Sequence, residues 1–277
     1  MPPTTCLVTA LSSEARPLIE HYSLSRQTWS GRQLYANENC LLLQTGIGKL
    51  NAAAATGALL QAMPDIDSII NIGVAGGKDP KGSIVLATTI VDAGSGKRWY
   101  PHLPPVRCLP GALSRAVRTL DEPNMAYQAG SVFDMEAAGI FTAATARMDL
   151  SRVHSLKVIS DTPGQPFTEL NKKEIPGLIK LLIGSLDALM LHLQQSNHGP
   201  HASPTEHSTS CLNILFDELI QQCHHTTSDR HTLHRLLQRY QAIAGSLPDS
   251  RLVSRAATAA SLRRQLQAEI CAKPLIY

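Results

Sequence analysis

The chain has 277 residues, 43% of them hydrophobic and 17% charged, with a formal net charge of +3. That length buries a full core, as one large domain or as one domain with an extension. So small a charge, spread along the chain, excludes the basic stripe of a nucleic-acid binder and points to a small-molecule partner.

An apolar run, CLVTAL (6–11), opens the chain and gives way to a helix-like segment, SSEARPLIEHYSL (12–24), with Glu14 at the junction. Ligands of α/β proteins gather at the carboxyl ends of strands, so Glu14 is a candidate site residue; it equally suits the positive end of a helix dipole. CLLLQTG (40–46) reads as the next strand, and TGIGKLNAAAA (45–55) as a glycine turn into a helix over 49–63. The turn lacks the third glycine of a dinucleotide fingerprint, Asn51 standing in its place, and no ribose-binding acid follows. SIINIGV (68–74) is again a strand, and its continuation NIGVAGG (71–77) ends in small residues that let a ring or sugar approach the backbone. SIVLATTIV (83–91) follows. SVFDMEAAGIFTAAT (131–145) then sets Asp134 and Glu136 ahead of an alanine-rich helix, where acids serve as dipole partners or as site residues. VHSLKVIS (153–160) leads to Asp161 and a Pro-Gly turn. Apolar runs alternating with helical patterns predict an α/β fold around a mostly parallel or mixed sheet.

GLIKLLIGSLDALMLHL (177–193) carries Lys180 and Asp187, which argues for an amphipathic surface helix and against a membrane span. Residues 195–210 are polar, without apolar periodicity, and read as a linker between an α/β domain (1–194) and a helical extension (211–277). The extension is read from Leu233, Leu236, Leu237, Tyr240 and Ile243, then Leu262, Leu266 and Ile270, at helical spacing. Cys223 with His224, His225, His231 and His234 suits zinc by residue type but matches no standard finger spacing, so no metal is expected. Six cysteines without CxxC spacing, and no leader before Cys6, make a reducing cytoplasm the expected setting.

Glu14, Glu136 and Asp161 thus each stand at a strand end or helix start, where they can converge on one pocket. Five pieces in order, the strand and acid around Glu14, TGIGKLNAA, INIGVAGG, DMEAAGI and KVISD, resemble the nucleoside phosphorylase and nucleosidase superfamily. The likeness spans about residues 5–192 and is strongest to its methylthioadenosine/S-adenosylhomocysteine nucleosidase branch. It implies a mixed, partly barrel-like central sheet flanked by helices, usually in a homodimer, with no cofactor. The implied reaction is hydrolysis of the N-glycosidic bond of a purine nucleoside, a 5′-modified adenosine such as methylthioadenosine, adenosylhomocysteine or 5′-deoxyadenosine. In that reaction Asp161 would protonate the purine at N7 and Glu14 would deprotonate the attacking water. Glu136 would bind the ribose hydroxyls, with Met135 against the sugar and Ser160, Ala75 and Gly76 completing the substrate site. Such roles suit a bond whose cleavage builds positive charge on the sugar and negative charge on the base.

Three features depart from that pattern. Val74 stands where a hydroxyl residue often assists the water, and Lys157 where an arginine is usual. The segment between GVAGG and DMEAAG is short, leaving Trp99, Tyr100, His102, Tyr127 and Phe133 as candidates to line the base. Two alternatives therefore stay open. A phosphorylase would use phosphate as nucleophile, with Arg16 as an anion ligand. An idle nucleoside-binding or interaction protein would keep the pocket without turnover.

Overall fold

A computed structural model describes residues 4–29, 32–104, 108–123, 127–166, 168, 171–196, 206–222, 227–244, 247–248 and 258–272. β1 (Thr4–Thr9) leads into α1 (Ser12–Tyr22), and β2 (Ser25–Trp29), β3 (Arg32–Ala36) and β4 (Cys40–Gln44) precede α2 (Lys49–Ala62). Next come β5 (Ile66–Gly77), β6 (Ile84–Asp92), the two-residue β7 (Arg98–Trp99), β8 (Leu113–Thr119) and β9 (Ser131–Asp134), ahead of α3 (Ala137–Ala144). β10 (Val153–Asp161) and α4 (Ile175–Ser196) follow, then α5 (Glu206–Gln222), α6 (Thr227–Ala244) and α7 (Ala259–Ala272).

The strands form one mixed sheet in the order β10-β6-β8-β9-β5-β1-β4-β3-β2, with β7 added on β6. β10 also pairs with β5, so β10, β6, β8, β9 and β5 close into a five-membered ring. This is the mixed, partly barrel-like sheet expected from the sequence. Closure removes the free edges of these strands and buries both faces, and all nine residues of β10 are buried as a result. Alternate residues of one strand then serve two cores. Leu7, Ile70, Leu86 and Leu156 face α1 and α4, whereas Val8, Ile69, Val85 and Ile159 face the alanine-rich helices α2 and α3. Those two helices lie close because their contact is made of small residues: a Cβ on Gly139 would overlap the carbonyl oxygen of Lys49.

The polar strands β2 and β3 had no sequence signal, since SRQTW is largely exposed at the sheet edge and shows no apolar alternation. α4 is long and apolar enough to span a membrane by composition. In the fold Ile179, Leu182, Leu186 and Leu189 are fully buried against α1 and β10, while Lys180, Leu181, Asp187 and Leu191 are exposed, so the helix is amphipathic and lies at the surface with one face in the core.

α5 begins at Glu206, inside the stretch read as a linker (195–210), and 197–205 lie outside the described residues. Its first turn, EHSTSC, lacks the apolar period that Leu212 and Leu219 introduce, which hides the helix start. Cys223, His224 and His225 also lie outside the described residues, among which no three potential metal ligands cluster. Leu212, Leu219, Leu236, Leu237, Leu262 and Leu266 are buried in the same cluster as α4, Leu86, Leu109 and Ala112. The helical extension therefore shares the core of the α/β region. Gln267 adds a polar tie, its Nε2 donating to Thr89 Oγ1 of β6 at 2.7 Å.

Candidate active site

Glu14 occupies the third position of α1, where its side chain turns back to the chain's entry into the helix. Oε2 accepts from the backbone N–H groups of Ala10 and Leu11, each at 3.0 Å, and Oε1 accepts from the N–H of Val74, also at 3.0 Å. Glu14 thus satisfies a helix terminus and at the same time bridges the carboxyl ends of β1 and β5. Burial pushes its pKa above the ordinary carboxylate value, against the pull of Lys157 and of the three N–H groups. The carboxylate is correspondingly readier to take a proton. Val74 contributes its backbone where a hydroxyl side chain was the family expectation.

The two acids before α3 divide the work. Asp134 takes the structural part: Oδ2 accepts from Ala137 N at 2.9 Å and Oδ1 from Thr119 Oγ1 at 2.7 Å. Asp134 Oδ2 also pairs with Lys157 Nζ at 2.9 Å, and both side chains are almost wholly buried. Burial opposes the lysine's charge, but Asp134, Glu136 and Glu14 outweigh it and hold the Lys157 pKa above its ordinary value. The ammonium lies 3.4 Å from Asn71 Oδ1 as well. Glu136, the N-cap residue of α3, makes no cap bond with its side chain. Its Oε1 instead accepts from Gly48 N at 2.8 Å, across the TGIGK turn, where Gly48 takes φ +99°, a conformation that excludes most side chains. Burial first, then the Asp134 charge, pushes Glu136 up to about 7.

Asp161 ends β10. The pairing of β10 with β5 shifts register between Ile159 and Asp161, a bulge that lets consecutive side chains, Ser160 and Asp161, reach the same cavity. Ser160 Oγ donates to Asp161 Oδ1 at 2.5 Å and Tyr127 Oη to Oδ2 at 2.6 Å.

A cavity of about 360 Å³ lies at these strand ends, within the range of small-molecule sites. Glu14, Ala75, Gly76, Met135, Glu136, Ser160 and Asp161 all line it, so the seven site residues read from the sequence come together in space. Of the aromatic candidates, Phe133 lines the cavity and Tyr127 reaches Asp161, while Trp99, Tyr100 and His102 lie elsewhere. Trp99 is buried against β6 with Lys97 over its ring at 4.8 Å. No motif pointed to Leu120, Thr168, Lys172 or Ile175, which reach the lining from loops and from the first residue of α4. Arg16, the candidate anion ligand, is 77% exposed and pairs with Glu20 on the outer face of α1.

Carboxylates thus stand at the strand ends of a closed, helix-flanked ring, and residues 4–122 match the model of the phosphorylase superfamily. Among solved structures the chain is similar to 5′-methylthioadenosine nucleosidase from Arabidopsis thaliana, at 19% identity and a TM-score of 0.61, over 73% of this chain and 99% of that one. The methylthioadenosine/S-adenosylhomocysteine nucleosidase from Colwellia psychrerythraea 34H, solved with adenine, matches at 20% identity and a TM-score of 0.56, over 70% and 96%. Futalosine hydrolase from Helicobacter pylori matches at 14% and 0.55, over 68% and 98%. No curated protein sequence matches. The fold is therefore that of the nucleosidases, nearly complete, with more than a quarter of this chain outside each match.

Proposed function

We propose that the protein hydrolyses the N-glycosidic bond of a purine nucleoside, an adenosine modified at the 5′ position such as methylthioadenosine, adenosylhomocysteine or 5′-deoxyadenosine. The observation that carries this reading is the convergence of Glu14, Glu136 and Asp161 on one cavity. Asp161 gives its proton to N7 of the base, so that the electron pair of the breaking C1′–N9 bond leaves on a neutral purine. Glu136 accepts from the ribose hydroxyls, with Met135 against the sugar; Ser160, Ala75 and Gly76 complete the substrate site. Glu14 takes a proton from water as its oxygen bonds to C1′, yielding free base and free sugar. The structures of similar fold include one solved in complex with adenine, which supports a nucleoside with a purine base.

Water is preferred to phosphate as the nucleophile because the cationic groups near Glu14 are engaged. Lys157 is tied to Asp134 and Arg16 to Glu20, leaving Lys172 as the basic side chain on a lining rich in carboxylates. The deciding experiment measures base release from methylthioadenosine, adenosylhomocysteine, 5′-deoxyadenosine, adenosine and inosine, with and without phosphate. Phosphate-independent release of adenine is expected. Strict dependence on phosphate would make the protein a phosphorylase, and tight nucleoside binding without release would make it an idle binder.

The same reading includes a homodimer. Ile47 lines the cavity yet is 53% exposed, and Leu50 beside it is 81% exposed. A second copy covering this apolar edge would also wall the pocket. Leu50→Glu should shift the sedimentation of the protein to that of a monomer; an unchanged value would place the interface elsewhere. Free, buried thiols at Cys6 and Cys40 accord with a reducing cytoplasm.

A further inference from the structure

Asp161 is held from two sides, and only one of the two holders belongs to a motif. Ser160 is its neighbour in KVISD; Tyr127 comes from the loop before β9, and its hydroxyl donates to Oδ2 at 2.6 Å. The tyrosine is 7% exposed and does not itself line the cavity that Asp161 lines. Its ring packs edge-on against Phe133, with centroids 6.3 Å apart and planes at 73°. Gly76 opposes the pair on β5: a Cβ there would overlap Asp161 Oδ2 and come within 2.8 Å of Tyr127 Cε1. The bare glycine is what admits the tyrosine and the aspartate to the same space.

From this arrangement we infer that Tyr127 is a positioning residue for Asp161, fixing the carboxyl group from within the wall so that its remaining positions, including the one that carries the proton for N7, face the base. Each carboxylate oxygen has two lone pairs. Ser160 occupies one on Oδ1 and Tyr127 one on Oδ2, so the plane of the group is set before a ligand arrives and two positions stay open to the cavity. A phenol hydroxyl both donates and accepts, so the contact survives proton loss from Asp161 without reorganising the site. The inference rests on the assignment of Asp161 to the purine.

The test is Tyr127→Phe in the full-length protein, which keeps the ring and removes the hydroxyl. Misplacing a reacting group by about 1 Å costs roughly 100-fold in rate, so kcat should fall by about 10- to 100-fold with KM little changed. In the Asp161→Asn background the same change should cost nothing further, a coupling that a merely structural tyrosine would not show. Wild-type kcat in Tyr127→Phe, or a loss carried by KM alone, would overturn the assignment. A second measurement needs no substrate: the carboxyl ¹³C resonance of Asp161, identified by its loss in Asp161→Asn, should move in Tyr127→Phe at constant pH. An unmoved resonance would refute the contact whatever the enzyme does. Absence of base release by the wild type would instead refute the proposed reaction, while the resonance still decides whether Tyr127 holds Asp161.

Discussion

At the scale of the residue, the acids are distinguished by what each already bonds. Asp161→Asn keeps the shape of the side chain but leaves one acceptor oxygen in place of two and has no acidic proton to give. Turnover should fall by about two to four orders of magnitude, the usual worth of a general acid, while nucleoside binding stays measurable by calorimetry. Unaltered turnover would reduce Asp161 to a turn cap. Glu136 carries a pH signature. Its folded pKa, raised to about 7 by burial and by Asp134, lies above the ordinary carboxylate value. Proton binding by Glu136 therefore favours the folded state, fully so below the unfolded pKa, and the contribution is lost as pH rises through about 7. In the role proposed for Glu136, recognition would run the other way, because the ionised carboxylate is the form that accepts from ribose hydroxyls with both oxygens. The kcat/KM should climb through about pH 7, and Glu136→Gln should remove that limb together with the matching slope in thermal stability. A limb that persists in Glu136→Gln belongs to another group.

At the scale of the element, β10 and α7 show how position sets the constraint. Every residue of β10 is buried, so Lys157 persists there only as a partner of Asp134 and Asn71. The bulge at its end is what delivers Ser160 and Asp161 together. α7 is bound by Leu262, Leu266 and Ile270, buried with α4 and the β6 region, and by the Gln267 to Thr89 bond. Truncating a fully buried leucine costs about 2–5 kcal/mol, so Leu266→Ala should lower the urea midpoint by a corresponding amount. A loss of a few tenths would mean that α7 detaches in solution.

At the scale of the whole molecule, the helical extension packs on the α/β region, and none of its described residues lines the cavity. Described lining residues run from Ala10 to Ile175. A chain ending at residue 197 should therefore melt at lower temperature, since Leu86, Leu109 and Ala112 lose part of their cover, yet release base at the full rate per folded molecule. Melting curves and active-site titration by a tight-binding nucleoside analogue separate the two effects. A folded but inactive product would show that the extension completes the site.

Local pattern alone was enough for the five apolar strands, the α2 and α3 helices and the three acids, because each is announced within a few residues: apolar runs, alanine-rich periodicity, and a carboxylate where a strand stops. The polar edge strands β2 and β3 carry no such pattern, and neither do the short β7 and β9. Tertiary structure alone decided the partners of the two acids before α3, both of which line the cavity. Asp134 is drawn to Lys157, whereas Glu136 is drawn to the Gly48 N–H, 88 residues away in sequence. It also closed the ring through β10, set the bulge at Ser160, and brought Tyr127 to Asp161 across 34 residues. The physical reason is the same in each case: a buried polar group must find a partner, and the partner is chosen by the packing of distant segments.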